Sequence, residues 1–242
     1  MPEVATQTRA QKLELLALYE EQTRREKRNK FKTLYPETGP YRRELYDGHM
    51  EFFALGKTCN ERALFGGNRT GKTLAVCYEL VAHMTAAYPP WWPGRMFDKP
   101  VECWAAGNTG KTVRNILQAT LLGPPGNVVE QGHGLIPADA VVGKPTPKHG
   151  IPDAVETVYV KSQWGTSDLQ FLSTDQGRIV FQGTSKDIIL LDEDVPQEIY
   201  IECLMRMVTT SGMIMWSATL VEGITPLMLD FLPHLKPAPD TV

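Results

Sequence analysis

Two short stretches of this chain carry residue types that together can bind and cleave a phosphoanhydride. Residues 66–73 read Gly-Gly-Asn-Arg-Thr-Gly-Lys-Thr. Gly66, Gly67 and Gly71 let the backbone wrap without Cβ clashes, so that consecutive N–H groups at a helix N-terminus converge on an anion. Asn68, Arg69 and Thr70 complete the loop between them. Lys72 offers an ammonium to the β- and γ-phosphates of a nucleotide such as ATP, and Thr73 a hydroxyl to Mg2+. Much further along, residues 188–193 read Ile-Ile-Leu-Leu-Asp-Glu. Asp192, ending an apolar strand, suits the metal side of such a site, and Glu193 suits the polarising of an attacking water. Hydrolysis also needs positive charge on the γ-phosphate in the transition state, worth ~10³–10⁵ in rate when an arginine supplies it. Arg69 is placed to act in cis; Arg178 and Arg206 are candidates for donation to a neighbouring subunit.

These groups converge only if strands and helices carry them to one edge. From residue 61 the pattern alternates strand and helix, which predicts a mostly parallel α/β sheet flanked by helices. Strands are expected at 62–65, 101–106, 187–191 and 213–217, and helices at 71–87, 109–122, 198–208 and 226–231. Residues 156–160, 169–172 and 178–181 read as further short strands. The Gly- and Pro-rich stretch 123–152 reads as irregular. The strand at 187–191 is expected beside the phosphate loop. Ser217-Ala218-Thr219 then closes the next strand with hydroxyls able to sense a γ-phosphate. Residues 105–112, Ala-Ala-Gly-Asn-Thr-Gly-Lys-Thr, fit a loosened form of the same loop pattern, but with fewer glycines at the turn they rank below the first.

Residues 9–32 read as a helix whose second half carries Arg24, Arg25, Lys27, Arg28, Lys30 and Lys32. That run is either a solvated face or a contact for DNA or a partner. Pro36, Gly39 and Pro40 break the pattern and suggest a division into a helical appendage, 1–40, and a core, 41–242. The formal net charge of −3 excludes a global basic field for nucleic acid, so any such contact must be local. Lys144, Lys148 and His149 in the 123–152 stretch are one place for it. The 4 cysteines have neither paired nor metal-ligand spacing and read as reduced thiols of a cytosolic protein. No apolar run approaches the ~20 residues that span a bilayer.

In combination these motifs resemble the ATPase domain of phage large terminases, the DNA-packaging motors of tailed phages, over about residues 41–232. Arginine within the loop, the run Asp175-Gln176-Gly177-Arg178 leading through Phe181-Gln182-Gly183-Thr184 into residues 188–196, and Ser217-Ala218-Thr219 carry the resemblance; it is similar to the podovirus-like branch. The resemblance implies a P-loop NTPase fold of the RecA/ASCE type, with ATP and Mg2+ as cofactors. It implies double-stranded DNA, portal protein and small terminase subunit as partners, a homo-oligomeric working ring, and action in the host cytoplasm rather than in the mature virion. His49 stands where the family keeps an adenine-contacting glutamine. Arg178 substitutes for a trans-acting arginine that the family places where this chain has Gln182. With the last residue at Val242, no nuclease activity is expected and the lid is expected to be absent or incomplete. Two rivals fit the same motifs less well: the first motor half of a superfamily 2 helicase, and a nucleotide-responsive assembly scaffold. A P-loop GTPase is excluded by the lack of a base-reading Asn-Lys-x-Asp.

Overall fold

The structure, a computed structural model, describes residues 9–28, 30–126, 133–220 and 223–232. The chain begins with helices α1 (Arg9–Arg28), α2 (Lys30–Thr33) and α3 (Asp47–Leu55), followed by strand β1 (Glu61–Gly66) and helix α4 (Lys72–Thr85). Strand β2 (Glu102–Gly107) leads to α5 (Gly110–Val113), a π-helical turn (Arg114–Gln118) and α6 (Ala119–Leu122). Strands β3 (Val141–Pro147), β4 (Val155–Ser162) and β5 (Gly165–Ser173) follow, then β6 (Ile188–Asp192), α7 (Gln197–Met207), β7 (Met213–Thr219) and α8 (Pro226–Phe231). The side chains of residues 24–28, residue 29, and residues 127–132 of the Gly/Pro stretch lie outside the described set, so the basic run and part of that stretch receive no structural reading. Among the described residues no helix is long and apolar enough to cross a membrane.

All strands join one 7-stranded sheet in the order β1-β7-β6-β2-β5-β4-β3. The pairings from β1 through β5 are parallel, and β4 and β3 extend the sheet as an antiparallel hairpin. Strand β7 lies between β1 and the acidic strand β6, and Asp192 at the end of β6 reaches the phosphate loop as expected, 2.8 Å from the Thr73 hydroxyl. Two expectations are corrected. Residues 178–181 form a 3-10 turn rather than a strand. The stretch read as irregular contains β3, which sits at the rim, where Pro145 and Pro147 are tolerated because one side of the strand has no ladder to complete.

Why the central strands read as unbroken apolar runs follows from the two covered faces. Side chains alternate across a strand. Ile188 and Leu190 of β6, with Met213 and Met215 of β7, enter the core beneath α3 and α4. Ile189 and Leu191, with Ile214, Trp216 and Ala218, enter the opposite core beneath α7 and α8. Helix α4 is buried almost all round from Ala75 to Met84, as suits a helix lying across a sheet and roofed by other elements. Part of that roof comes from the N-terminal side: Phe31 stacks on Tyr78 with ring centroids 4.5 Å apart, and Tyr35 is 4% exposed among Tyr46, Phe53, Tyr78 and Trp91.

One buried polar group set ties β1, α3 and α4 together. Arg62 donates to both carboxylate oxygens of Glu79, at 3.0 and 2.8 Å, and to the Phe52 carbonyl at 2.6 Å. Tyr88 Oη accepts the Phe97 N–H and pairs with His83 Nδ1, leaving His83 Nε2 to donate to Glu79. Burial pulls the Glu79 carboxyl up, but Arg62 and His83 outweigh it and hold it below the ordinary carboxylate range. Burial holds His83 below its ordinary value of 6.5.

Removing one member leaves a charge stranded in the core, so Glu79→Ala is expected to lower unfolding free energy by about 3–5 kcal/mol in urea denaturation. The pH dependence has a definite sign. Below about 6.5 the unfolded chain takes a proton on His83 that the folded chain refuses, so stability falls. Lower still, it falls again as Glu79 is protonated through its depressed folded pKa. A urea midpoint that does not decrease on acidification contradicts this assignment.

Candidate functional site

The phosphate loop grows directly out of β1 and ends in α4. Gly71 supplies the φ of +83° from which the helix starts, and Lys72 is its first residue. A side chain at Gly66 would stand 3.4 Å from the Thr70 hydroxyl and 3.7 Å from the Lys72 stem, so the first glycine keeps the loop open for both. The Lys72 ammonium donates to the Gly67 carbonyl at 2.7 Å, and the Thr70 hydroxyl to the same oxygen at 3.0 Å. Lys72 is buried, while Gly67, Asn68, Arg69 and Thr70 are exposed at the mouth, Arg69 with φ +62°.

Strand β7 places the acids. Register pairs Ser217 with Leu64 on one side and with Asp192 on the other, and Thr219 with Gly66. The Ser217 hydroxyl donates to Asp192 Oδ1 at 2.5 Å, and the Thr73 hydroxyl, arriving from α4, donates to the same oxygen at 2.8 Å. Burial pushes the Asp192 carboxyl up and the neighbouring Glu193 charge adds to that, while the two hydroxyls and Lys72 oppose it. Thr219 meets the other acid: its N–H and hydroxyl stand 3.3 and 3.4 Å from the Glu193 carboxylate oxygens. Ala218, between them on the strand, faces the core. The alternating Ser-Ala-Thr pattern thus holds one carboxylate with each hydroxyl residue.

Glu193 leaves the strand in the left-handed region, φ +67°. Its N–H donates to the Ser217 carbonyl at 2.7 Å, and its carbonyl accepts the Trp216 indole N–H at 2.7 Å. Trp216 was not legible as a site residue, since a buried tryptophan on a strand reads as packing. A cavity of about 430 Å³ opens beside this carboxylate, lined by Asn68, Asn108, Asp194, Thr219 and Thr225 among others. Asn108 is the second residue that sequence reasoning passed over. It belongs to the lower-ranked loop, where Thr109 caps α5 and Lys111 is exposed.

The structure therefore brings together Gly66, Gly67, Gly71, Lys72, Thr73, Asp192 and Glu193. Arg178 is exposed on its 3-10 turn, and Arg206 pairs with Glu202 within α7 at 2.9 Å. His49 lies beneath the loop rather than at its mouth: it is 7% exposed, stacked on Tyr46, with Nδ1 3.0 Å from the Tyr35 hydroxyl.

Comparison with known proteins bears on the family and the fold. The large terminase subunit of Salmonella phage P22 is 29% identical over 241 aligned residues, covering 92% of this chain and 46% of that protein. The chain thus spans about half the length of the curated relative it matches. The large terminase of a thermophilic bacteriophage, solved in complex with ADP, superposes with a TM-score of 0.50 at 11% identity, over 78% of this chain and 42% of that one. The large terminase ATPase domain of Thermus phage P74-26 gives a TM-score of 0.45 at 17% identity, over 67% of this chain and 60% of that one. Residues 63–234 match the family described as terminase large subunit, T4likevirus-type, N-terminal, and with that match over most of its length the chain belongs to the large-terminase family.

Proposed function

We propose that this chain is the ATP-hydrolysing part of a viral DNA-packaging motor. The observation that carries the reading is the meeting of the Thr73 and Ser217 hydroxyls on one carboxylate oxygen of Asp192, with Lys72 and Glu193 near enough for their charges to act on it. In this reading the core spans 41–242, with 1–40 as a helical appendage. Residues 66–73 cradle the triphosphate through backbone N–H groups at the start of α4, and Lys72 exchanges the Gly67 carbonyl for phosphate oxygens. Thr73 and Asp192 are the residues that hold Mg2+. One hydroxyl and one carboxylate suit an ion that takes few protein oxygens and completes its shell from phosphates and water. When bound, that ion neutralises charge on the phosphate oxygens.

Glu193, aimed by Thr219 toward the adjoining cavity, accepts a proton from the attacking water. Arg69, at the mouth of the loop, meets the charge that gathers on the γ-phosphate. The exposed Arg178 is free to serve a neighbouring copy in a ring. Double-stranded DNA, portal protein and small terminase subunit are the partners this reading assigns, in the cytoplasm of an infected host. The matched proteins of phage P22 and of the thermophilic bacteriophage are large terminases, which supports the packaging role.

Three outcomes test the site. Glu193→Gln is expected to lower ATP turnover by ~10²–10⁴-fold while leaving ATP affinity near wild type. Lys72→Ala is expected to weaken ATP binding by ~10–100-fold, with Lys111→Ala unchanged; the reverse pattern moves the nucleotide to the second loop. Thr219→Val removes the hydroxyl that aims Glu193, so kcat is expected to fall several-fold with little change in KM. The motor role itself is read from ATP turnover with and without double-stranded DNA, and lack of stimulation contradicts it.

A further inference from the structure

Two helices of this chain carry apolar rows that the described structure leaves in water. Helix α7 turns Ile199, Cys203 and Met207 into the core beneath it. On its other side Ile201, Met205 and Val208 are 51%, 59% and 69% exposed, and Val208 keeps helical φ and ψ. At i, i+4 and i+7 these three form one row along the helix. The 178–181 turn packs against α7 and adds the exposed Ile179. Exposed apolar residues scattered singly are ordinary, whereas several together mark a contact surface. The second row is on α1, where Leu13, Leu15, Leu16, Leu18 and Tyr19 are each more than half exposed. Leu15, Leu16 and Tyr19 share one face with Lys12, being three, four and seven residues beyond it.

The two rows match in spacing and in charge. Lys12, Leu15 and Tyr19 on α1 are spaced as Glu198, Ile201 and Met205 are on α7. Lys12 and Glu198 are both exposed and carry opposite charges. Laid side by side in the same direction, the rows set ammonium against carboxylate, Leu15 against Ile201 and Tyr19 against Met205. Anchors at i, i+3 and i+7 are how an amphipathic helix is seated on an apolar surface.

The helix that fills this seat does not come from the same copy. Helix α1 leads into α2, whose Phe31 stacks on Tyr78 of α4, so its root lies on the α3/α4 face of the sheet. The exposed row of α7 lies over the opposite face, with the 7-stranded sheet between. A stiff helix of 20 residues, about 30 Å long, does not wrap round that sheet from such a root. A second copy set head to tail offers its α1 without this obstacle. We propose that α1 of one copy docks along the exposed row of α7 on the next, Lys12 beside Glu198. The contact uses different surfaces on its two sides, and repetition of such a contact closes a ring where the rotation allows. It is small among specific interfaces, so isolated chains exchange partners readily. The inference rests on the reading above only for its ring of copies and is independent of the nucleotide site.

The test uses the full chain carrying Cys59→Ser, since Cys77, Cys103 and Cys203 are buried. Tyr19→Cys and Met205→Cys are added together, and a short bis-maleimide is applied. A ladder of two and more linked chains is expected on denaturing gels. Leu16→Glu or Ile201→Glu, each placing a charge in the contact, is expected to lower the ladder about tenfold, with melting curves showing that these exposed positions leave the fold intact. Lys12→Glu is expected to lower it by up to about fivefold, and Glu198→Lys in the same chain to restore it. A link within single chains in place of the ladder overturns the inference, because α1 then reaches its own α7. A ladder indifferent to Leu16→Glu and Ile201→Glu records collision and overturns it as well. No ladder from a chain that still binds ATP with Mg2+ overturns the inference and leaves the nucleotide-site reading standing. A ladder with the expected variant pattern, from a chain that binds no ATP, upholds the contact and overturns the nucleotide site instead.

Discussion

Two neighbouring carboxylates must serve one edge of a sheet, although consecutive residues of a strand face opposite ways. The site depends on how the chain escapes that rule. Asp192 obeys it and turns toward α4. Glu193 breaks it by entering the left-handed region, a conformation that costs a non-glycine residue about 1 kcal/mol. Hydrogen bonds from its N–H to the Ser217 carbonyl and from the Trp216 indole to its own carbonyl offset that cost. Both partners belong to β7. The strand between loop and acids is therefore the template on which the acidic turn is set.

The same strand explains the economy of the rest. Its apolar residues divide between the two cores, so it is fixed from both faces before its polar end reaches the site. Ser217 and Thr219 then stand on one side with Ala218 turned away, and each hydroxyl residue meets a different acid. Helix α4 approaches from the other side with Lys72 and Thr73 in its first turn. The buried Arg62–Glu79 pair lies further along the same helix and ties its body to β1. Strand, loop and helix are consequently held at both ends of the cradle.

Much of this was legible. Three glycines, a lysine and a threonine at that spacing between a strand and a helix leave few alternatives, and an apolar run closed by Asp-Glu marks a strand buried on both faces. Lateral order was not legible, because periodicity reports which faces are covered and is silent on which strand lies alongside. That β7 separates β1 from β6 is written in neither strand for that reason. Arg178-Ile179-Val180-Phe181 has the composition of a strand, yet Gly177 at φ +76° turns the chain, and Ile179 is left 80% exposed while Phe181 enters the core with Val180 packed against it. The rim strand β3 hid behind its prolines. His49 was visible as a residue of interest through resemblance, but its neighbours Tyr35 and Gly71 lie in other parts of the chain, and nothing local in the sequence joins them.

Thr219 is the last residue of β7, and its contacts to Glu193 are long ones. Gly223, Thr225 and Met228 border the same cavity. The backbone N–H and the hydroxyl of one strand-end residue are thus what meet the Glu193 carboxylate. Asp192, by contrast, is gripped from both β7 and α4 by shorter bonds, so the two neighbouring acids are held unequally.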